Sequence, residues 1–309
     1  MKAIMYHYVR PYSENLPYFK SLSLDDFCLQ LDFFENNFGF VSKSDFFNCI
    51  NNKISKPGVV LTFDDGIKDH YQYVLPELKK RGLWGIFYIT THPFHTDKLL
   101  DVHRIHMLLG KYGGKCIAKY LKKNITKEML SHAHILEFQN DTYANQDNSV
   151  STLYVKRMLN YYIDYNYREM VIEKMMNKFL SDEADLSSEF YMSESDLLSM
   201  HNDGMIIGSH SASHSVMSKL DCNDQEIEVI SSFNTIESII KLNNNRTFRY
   251  PYGGFESFSE CTELLLEKHN CKFSFNVESR DITQNDLKNR VQALPRYDCN
   301  EFPHGLCKG

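Results

Sequence analysis

The stretch VVLTFDDGIKDHYQYVLPELKKRG, residues 59–82, gives the clearest indication of the fold in this 309-residue chain. It opens with a continuous apolar run, which is typical of a parallel strand covered on both faces. After two aspartates and a glycine, YQYVLPELKKRG predicts a helix that ends at Gly82, and WGIFYIT at 84–90 predicts the next strand. A strand, a helix and a strand with short connections form a βαβ unit. The sequence therefore predicts a parallel sheet with helices packed outside it.

The alternation of strands and helices continues along most of the chain. Residues 3–9 predict a first strand, and 23–38 predict a helix with a serine cap and a glycine stop. Beyond residue 190 the pattern predicts a helix at 193–204 capped by Ser193 and Asp196, a strand at 205–211, a helix at 224–242, a strand from 247, a helix at 258–269, and strands at 271–277 and 291–298. Between 92 and 190 helical periodicity prevails. We predict one α/β domain over 1–309, interrupted by a helical insertion at about 92–190.

The composition disfavours two kinds of partner and suggests a compartment. Forty acidic against 34 basic residues give a net charge of −6 without a basic stripe, so nucleic-acid binding has no electrostatic support. No segment reaches the roughly 18 apolar residues of a membrane span. The N-terminus MKAIMYHYVRPY does not fit a secretory signal, and eight cysteines without a CxxC pair are expected to be reduced thiols. The predicted location is cytoplasmic.

Two adjacent aspartates, Asp64 and Asp65, follow directly after the buried strand. The carboxyl ends of parallel strands are where α/β folds carry their sites. Neighbouring carboxylates repel each other, and the pair is explained if one binds a metal while the other stays free as a base. A helix N-cap of the form Asp-Gly would look the same, so the pair by itself leaves both interpretations open.

A pair of histidines follows a later strand, in GSHSASHS at 208–215. His210 and His214 lie four residues apart, and on one helical turn that spacing points both imidazoles toward a single metal ion. Two surface histidines among small polar residues are the alternative.

A third motif, RYPYGG at 249–254, ends another strand. Arg249 can hold a carboxylate there, and the turn exposes backbone N–H groups to a developing oxyanion. A Pro-Gly turn with a surface arginine is the alternative.

In this order, TFDDG, HSxxH and RxPYG resemble the motifs of the polysaccharide deacetylase family, the NodB-homology group or carbohydrate esterase family 4. The resemblance covers residues 1–91 and 191–300 and leaves out the insertion. It implies a distorted (β/α)7 barrel and an enzyme that removes N-acetyl, sometimes O-acetyl, groups from sugars. It also implies a divalent metal, zinc by preference, with cobalt and nickel as alternatives.

The resemblance implies roles for individual residues. The metal ligands would be Asp65, His210 and His214. The metal would lower the pKa of a water, Asp64 would take its proton as general base, and the hydroxide would attack the acetyl carbonyl. Arg249 would pair with Asp64, and the backbone N–H of Tyr252 would stabilise the oxyanion.

The chain departs from the family pattern at the general acid. The family supplies a histidine from a Leu-x-His motif, but the matching segment here ends in Arg296, and an arginine is a poor proton donor at neutral pH. His7 is the predicted substitute, with a packed core histidine as the alternative. Arg296 itself is predicted at the mouth of the site, binding a carboxylate or phosphate of the substrate. An ion pair with Asp298 or Asp281 is the alternative.

The sequence thus predicts an intracellular metal-dependent hydrolase that removes an N-acetyl group from an acetamido sugar, which is a free sugar, a nucleotide sugar or a glycan precursor. A hydrolase of another N-acyl or formyl amide is one alternative. A carbohydrate-binding protein that kept the barrel and lost turnover is the other. The insertion is expected either to fold over the site or to form the contact surface of a homo-oligomer.

Overall fold

A computed structural model describes residues 1–131, 148–180, 182–241 and 245–308. The chain divides into two compact units. The first unit consists of Met1–Pro11, Ser21–Thr96 and Ser188–Cys307. The second is built mainly from Asp97–Ser187 together with Tyr12–Lys20.

Seven parallel strands form the sheet of the first unit. They are β1 (Lys2–Tyr6), β2 (Val59–Phe63), β3 (Gly85–Ile89), β4 (Ile206–Ser209), β5 (Thr247–Arg249), β6 (Phe273–Phe275) and β7 (Tyr297–Asp298), in the spatial order β6-β5-β4-β3-β2-β1-β7. β7 pairs with β1, while Leu294 just before it bridges Phe275 of β6, so the last segment spans the gap between the two edges. The strands curl into the distorted (β/α)7 barrel, which confirms the predicted fold.

The described helices, in chain order, are α1 (Leu24–Asn37), α2 (Lys43–Asn52), α3 (Leu75–Lys80), α4 (Asp101–Asn124), α5 (Val150–Arg157), α6 (Tyr165–Phe179), α7 (Glu183–Phe190), α8 (Glu194–Asn202), α9 (Cys222–Ile240), α10 (Glu260–Lys268) and α11 (Gln284–Asn289). The predicted cap of α8 is confirmed, because Ser193 and Asp196 form a reciprocal capping box. The helix predicted over 71–82 instead starts with a π-helical turn, His70–Val74, before α3. Pro76 lacks an N–H and cannot continue a regular helical hydrogen-bond pattern, which accounts for the wider turn.

The core of the first unit lies against the strands. All five residues of β2 are buried, as the continuous apolar run predicts. Phe63 of β2 stacks on Phe87 of β3 with ring centroids 4.7 Å apart. In the parallel pairing of β2 with β3, Phe63 lies opposite Phe87, so the residues that follow the two strands lie at one edge of the sheet.

The second unit is mostly helical within the residues that the structure describes. Buried Arg104 of α4 donates two hydrogen bonds to Glu183, at 2.6 and 2.9 Å, which leaves its charge paired. Of the predicted insertion at 92–190, residues 132–147 and 181 lie outside the described part.

The cysteine prediction is wrong in one respect. Cys222 of α9 and Cys261 of α10 form a disulfide, so the chain does not carry eight reduced thiols. The two residues are 39 positions apart and match no spacing motif, which is why the sequence does not reveal the pair. Among the described residues, no helix has the length and apolar character needed to cross a membrane.

Candidate active site

Four strands carry five of the predicted site residues at their C-terminal ends. His7 follows β1, Asp64 and Asp65 follow β2, His210 follows β4, and Arg249 closes β5. Because the strands are parallel, these side chains share one edge of the barrel, as expected for an α/β enzyme.

Asp65, His210 and His214 form a cluster that could hold one metal ion. One oxygen of Asp65, Oδ1, lies 3.4 Å from Nε2 of His210 and 3.5 Å from Nε2 of His214. One ligand atom from each residue can be chosen so that all three lie within 4.8 Å of one another. Asp65 takes a left-handed backbone conformation with φ of 78°, which turns its carboxylate away from the strand direction toward the histidines.

The hydrogen bonds of His210 test whether this cluster suits a cation. Its Nδ1 lies 2.8 Å from the carbonyl oxygen of Arg249, and since a carbonyl can only accept, Nδ1 carries the hydrogen. Burial lowers the pKa of His210, which favours the neutral ring. A neutral ring with its hydrogen on Nδ1 points the lone pair of Nε2 at the carboxylate of Asp65, so two acceptors face each other. A divalent cation satisfies both, and the donor set therefore fits a metal.

The second aspartate, Asp64, is fully buried and held by arginine. Arg249 Nε donates to Asp64 Oδ2 at 2.9 Å. Burial alone would raise the pKa of Asp64, but the charges of Arg296 and Arg249 outweigh it and hold the pKa well below its ordinary value. The carboxylate is thus ionised at neutral pH.

The polysaccharide deacetylase family model matches residues 51–178 and 171–273, which together span more than half of the chain. The chain belongs to the polysaccharide deacetylase family. It is accordingly a carbohydrate N-deacetylase, and the family resemblance of its three motifs is confirmed.

Solved structures with the same fold include other deacetylases. The Streptococcus pyogenes deacetylase PplD, solved with acetate, is 15% identical at a TM-score of 0.57, with 96% of this chain and 91% of that chain covered. The deacetylase domain of BpsB from Bordetella bronchiseptica is 13% identical at 0.51, covering 96% and 94%. A polysaccharide deacetylase of Bacillus cereus is 15% identical at 0.54, covering 96% and 64%. At these identities the likeness concerns the fold. None of the curated proteins matches the sequence.

The deacetylase differs from the sequence-based expectation at Arg296. This side chain is 0% exposed, so it does not lie at the mouth of the site, and neither Asp298 nor Asp281 is its partner in an ion pair. Its Nη1 and Nη2 donate to Oδ1 and Oδ2 of Asp64 at 2.9 and 2.7 Å. The expected interaction with an acidic substrate group is therefore wrong, because the guanidinium is enclosed in the barrel and binds the carboxylate of Asp64.

Arg296 is held in place from several sides. Nη1 also donates to Thr62 Oγ1 at 2.8 Å, and the guanidinium lies 5.9 Å from the ring centroid of Tyr88 and 5.8 Å from that of Phe275. Sequence reasoning missed Thr62, whose place inside an apolar strand was its only signal. These contacts fix the plane of the guanidinium and hence the plane of Asp64.

His7 lies near the buried carboxylate of Asp64, on the side of the barrel that faces solvent. Its Nε2 is 3.9 Å from Asp64 Oδ2, and its side chain is 37% exposed. The alternative of a packed core histidine is wrong, because that much of the ring is open to solvent. A donor at this position can reach a group that binds above the barrel edge.

Tyr252 lies in the turn after β5. It has a φ of 65° and its ring centroid is 5.0 Å from that of His214. Gly253 follows with φ of 66°, and a Cβ there would lie 2.3 Å from Val277, so the turn requires glycine. The next N–H, of Gly254, donates to Asn276 at 3.0 Å, a contact that the sequence did not suggest.

The spacing of His210 and His214 predicted a shared helical turn, and this prediction is wrong. Ser211 and His214 both have a φ of 60°, and the segment between them forms a loop. Glu228 of α9, which the sequence analysis did not single out, binds this loop. The convergence of His210 and His214 therefore arises from loop geometry.

Proposed function

We propose that this deacetylase hydrolyses the N-acetyl group of an acetamido sugar with the help of one divalent metal ion, zinc by preference. The observation that carries the proposal is the cluster of Asp65, His210 and His214, with ligand atoms within 4.8 Å, beside a fully buried and ionised Asp64.

Asp65, His210 and His214 would hold the metal. Two imidazoles and a carboxylate are a common ligand set for catalytic zinc, since three protein ligands leave positions open for water and substrate. When bound, the ion acidifies a water and polarises the acetyl oxygen. The Nδ1 hydrogen bond of His210 to the Arg249 carbonyl fixes the tautomer that ligation needs.

Asp64 accepts the proton of the attacking water. A carboxylate offers about four acceptor positions. Arg249 and Arg296 occupy two on Oδ2 and one on Oδ1, which leaves the second lone pair of Oδ1 for the water proton. The arginines hold this oxygen in one orientation, so the base is aimed before the substrate arrives.

His7 donates a proton to the departing amine. Its ring lies 3.9 Å from Asp64 and is 37% exposed, so it can contact both the base and a sugar nitrogen outside the barrel. The backbone N–H of Tyr252, in the turn next to His214, stabilises the negative charge that builds on the acetyl oxygen.

The substrate is the acetamido group of a sugar in a glycan or a glycan precursor. A preference for acidic or nucleotide-linked sugars has lost its structural support, since Arg296 is buried against Asp64. The cytoplasmic location stays a prediction, and the Cys222–Cys261 disulfide argues against it because such bonds persist mainly in oxidising compartments.

The experiment combines zinc content with acetate release from N-acetylated monosaccharides, nucleotide sugars and chitin oligomers. Wild type should bind about one zinc and release acetate, whereas Asp64→Asn should keep the zinc and lose turnover because the amide cannot accept the proton. Asp45→Asn is the matched control, since Asp45 pairs with Lys56 on the surface at 2.6 Å. Metal-loaded wild type without turnover on the whole panel would favour the carbohydrate-binding alternative. Formate or another acid in place of acetate would redefine the acyl group.

A further inference from the structure

The loop between the two metal-binding histidines is held by side chains. The N–H groups of four consecutive residues, 211–214, all donate to side-chain oxygens: Ser211 to Ser209 Oγ at 3.1 Å, Ala212 and Ser213 to Glu228 Oε2 at 2.9 Å each, and His214 to Ser211 Oγ at 3.0 Å. A helical turn would have used main-chain carbonyls. The direction of the His214 ring therefore depends on the residues that supply these oxygens.

Glu228 supplies the largest share. Its Oε2 accepts two backbone hydrogen bonds, and its Oε1 accepts a third from the hydroxyl of Ser213 at 2.7 Å. Hydrogen bonds to an ionised carboxylate are stronger than those between neutral groups. One side chain thus fixes both central residues of a loop whose two ends, Ser211 and His214, adopt left-handed conformations that non-glycine residues rarely adopt.

Glu228 is itself held by a firmly attached helix. Near the start of α9, the disulfide joins Cys222 to α10, and Thr262 Oγ1 donates to Gln225 Oε1 at 2.6 Å. Further along, Ser232 Oγ lies 2.6 Å from Oγ of Ser209, the last residue of β4. The carboxylate of Glu228 is therefore fixed relative to the strand end that carries His210.

We propose that Glu228 is a positioning residue of the metal centre, which sets the loop so that His214 meets His210 and Asp65 at one ion. The inference rests on the proposed function, since it needs a metal at that cluster. The hydrogen bonds that Glu228 accepts come from the backbone N–H groups of 212 and 213 and from the Ser213 hydroxyl, so it acts through the loop. Its loss should weaken metal binding, because the loop would sample conformations in which His214 points elsewhere.

The test is a zinc competition titration against a chromophoric chelator, with the full chain stripped of metal beforehand. Glu228→Ala should raise the zinc dissociation constant by about 10–100-fold, the usual effect of losing a group that orients a ligand. Glu228→Gln should lie between Glu228→Ala and wild type, because its amide oxygen still accepts from the backbone without a charge. Glu226→Ala is the matched control on the same helix, since Glu226 binds Lys268 and His269 at 2.7 Å on the side toward α10.

The outcomes separate this inference from the proposed function. If wild type binds zinc and Glu228→Ala has the same zinc dissociation constant, the positioning role of Glu228 is wrong while the proposed metal function stands. A lower melting temperature of the metal-free variant would not change that conclusion. Absence of zinc binding in wild type overturns the proposed metal function and this inference with it. If Glu228→Ala does not fold, the zinc dissociation constant of Glu228→Gln is compared with that of Glu226→Ala instead. A difference of about twofold or less contradicts the positioning role, because losing a group that orients a ligand usually weakens metal binding by about 10–100-fold.

Discussion

Replacing Arg296 by methionine should lower the free energy of unfolding of the metal-free chain by about 3 kcal/mol at pH 7. Arg296 is 0% exposed and donates two hydrogen bonds to Asp64, at 2.9 and 2.7 Å, and a third to Thr62 at 2.8 Å. Removing one partner of a buried ion pair costs about 3–5 kcal/mol because the other charge stays buried. Arg249 still pairs with Asp64 at 2.9 Å, so we expect the lower end of that range.

The loss should depend on pH in a defined direction. In the folded protein Arg296 and Arg249 hold the pKa of Asp64 well below its ordinary value despite the opposing effect of burial. The stability that Asp64 contributes is therefore complete above the unfolded pKa of about 4 and is lost as the pH falls toward the folded pKa. Arg296→Met raises the folded pKa. The difference in unfolding free energy between wild type and variant should be widest at pH values above the raised folded pKa of Asp64 in the variant and should narrow as the pH falls below it.

Urea denaturation followed by circular dichroism measures both the loss of unfolding free energy and its pH dependence. A chelator is present because bound metal would add its own stabilisation. Arg280→Met is the matched control. Arg280 makes the same two-pronged contact with Asp286, at 2.7 and 2.9 Å, but its own side chain is 40% exposed. Asp286, 9% exposed, keeps two hydrogen bonds from Thr283 at 2.8 and 2.7 Å, so the loss of Arg280 should cost less than the loss of Arg296. Equal losses of unfolding free energy in the two variants, or a difference between wild type and Arg296→Met that grows in acid, would contradict this account of the buried pair.

Two further predictions concern the proton donor and the disulfide. His7→Gln should reduce kcat by about 10²–10⁴-fold with zinc affinity unchanged. His95→Gln is the control and should change neither, since the His95 ring contacts Thr235 at 3.2 Å on the surface. Full kcat in His7→Gln would mean that another residue is the acid. Peptide mapping without reductant should find Cys222 linked to Cys261, and unlinked, alkylated peptides would contradict the bond. Replacing both cysteines by alanine should lower the free energy of unfolding by about 4 kcal/mol, as expected for a separation of 39 residues.

The local pattern of residues was enough to predict the scaffold. The apolar run of β2 is buried along its whole length, and the strand and helix alternation produced the expected parallel sheet. Backbone preference and the hydrophobic pattern are local properties of a sequence, so this level of structure can be predicted from one chain. The grouping of Asp65, His210 and His214 came from the resemblance of their motifs to the polysaccharide deacetylase family, and in the structure their ligand atoms lie within 4.8 Å of one another.

The details of the site were less accessible. The spacing of His210 and His214 suggested a helical turn, but the loop is shaped by Glu228, which lies on a separate helix. A serine-rich segment can satisfy its backbone with side chains or with its own carbonyls, and the spacing alone does not distinguish the two.

The motifs were enough to predict the family, the barrel and the residue types that can bind a metal and accept a proton. The three-dimensional structure was needed to show that Arg296 lies inside the barrel with Asp64, 232 residues away along the chain, and that Cys222 is bonded to Cys261. The physical reason is that the role of a charged side chain depends on which charges surround it and on how much water reaches it. Both are set by packing between segments that are distant in sequence.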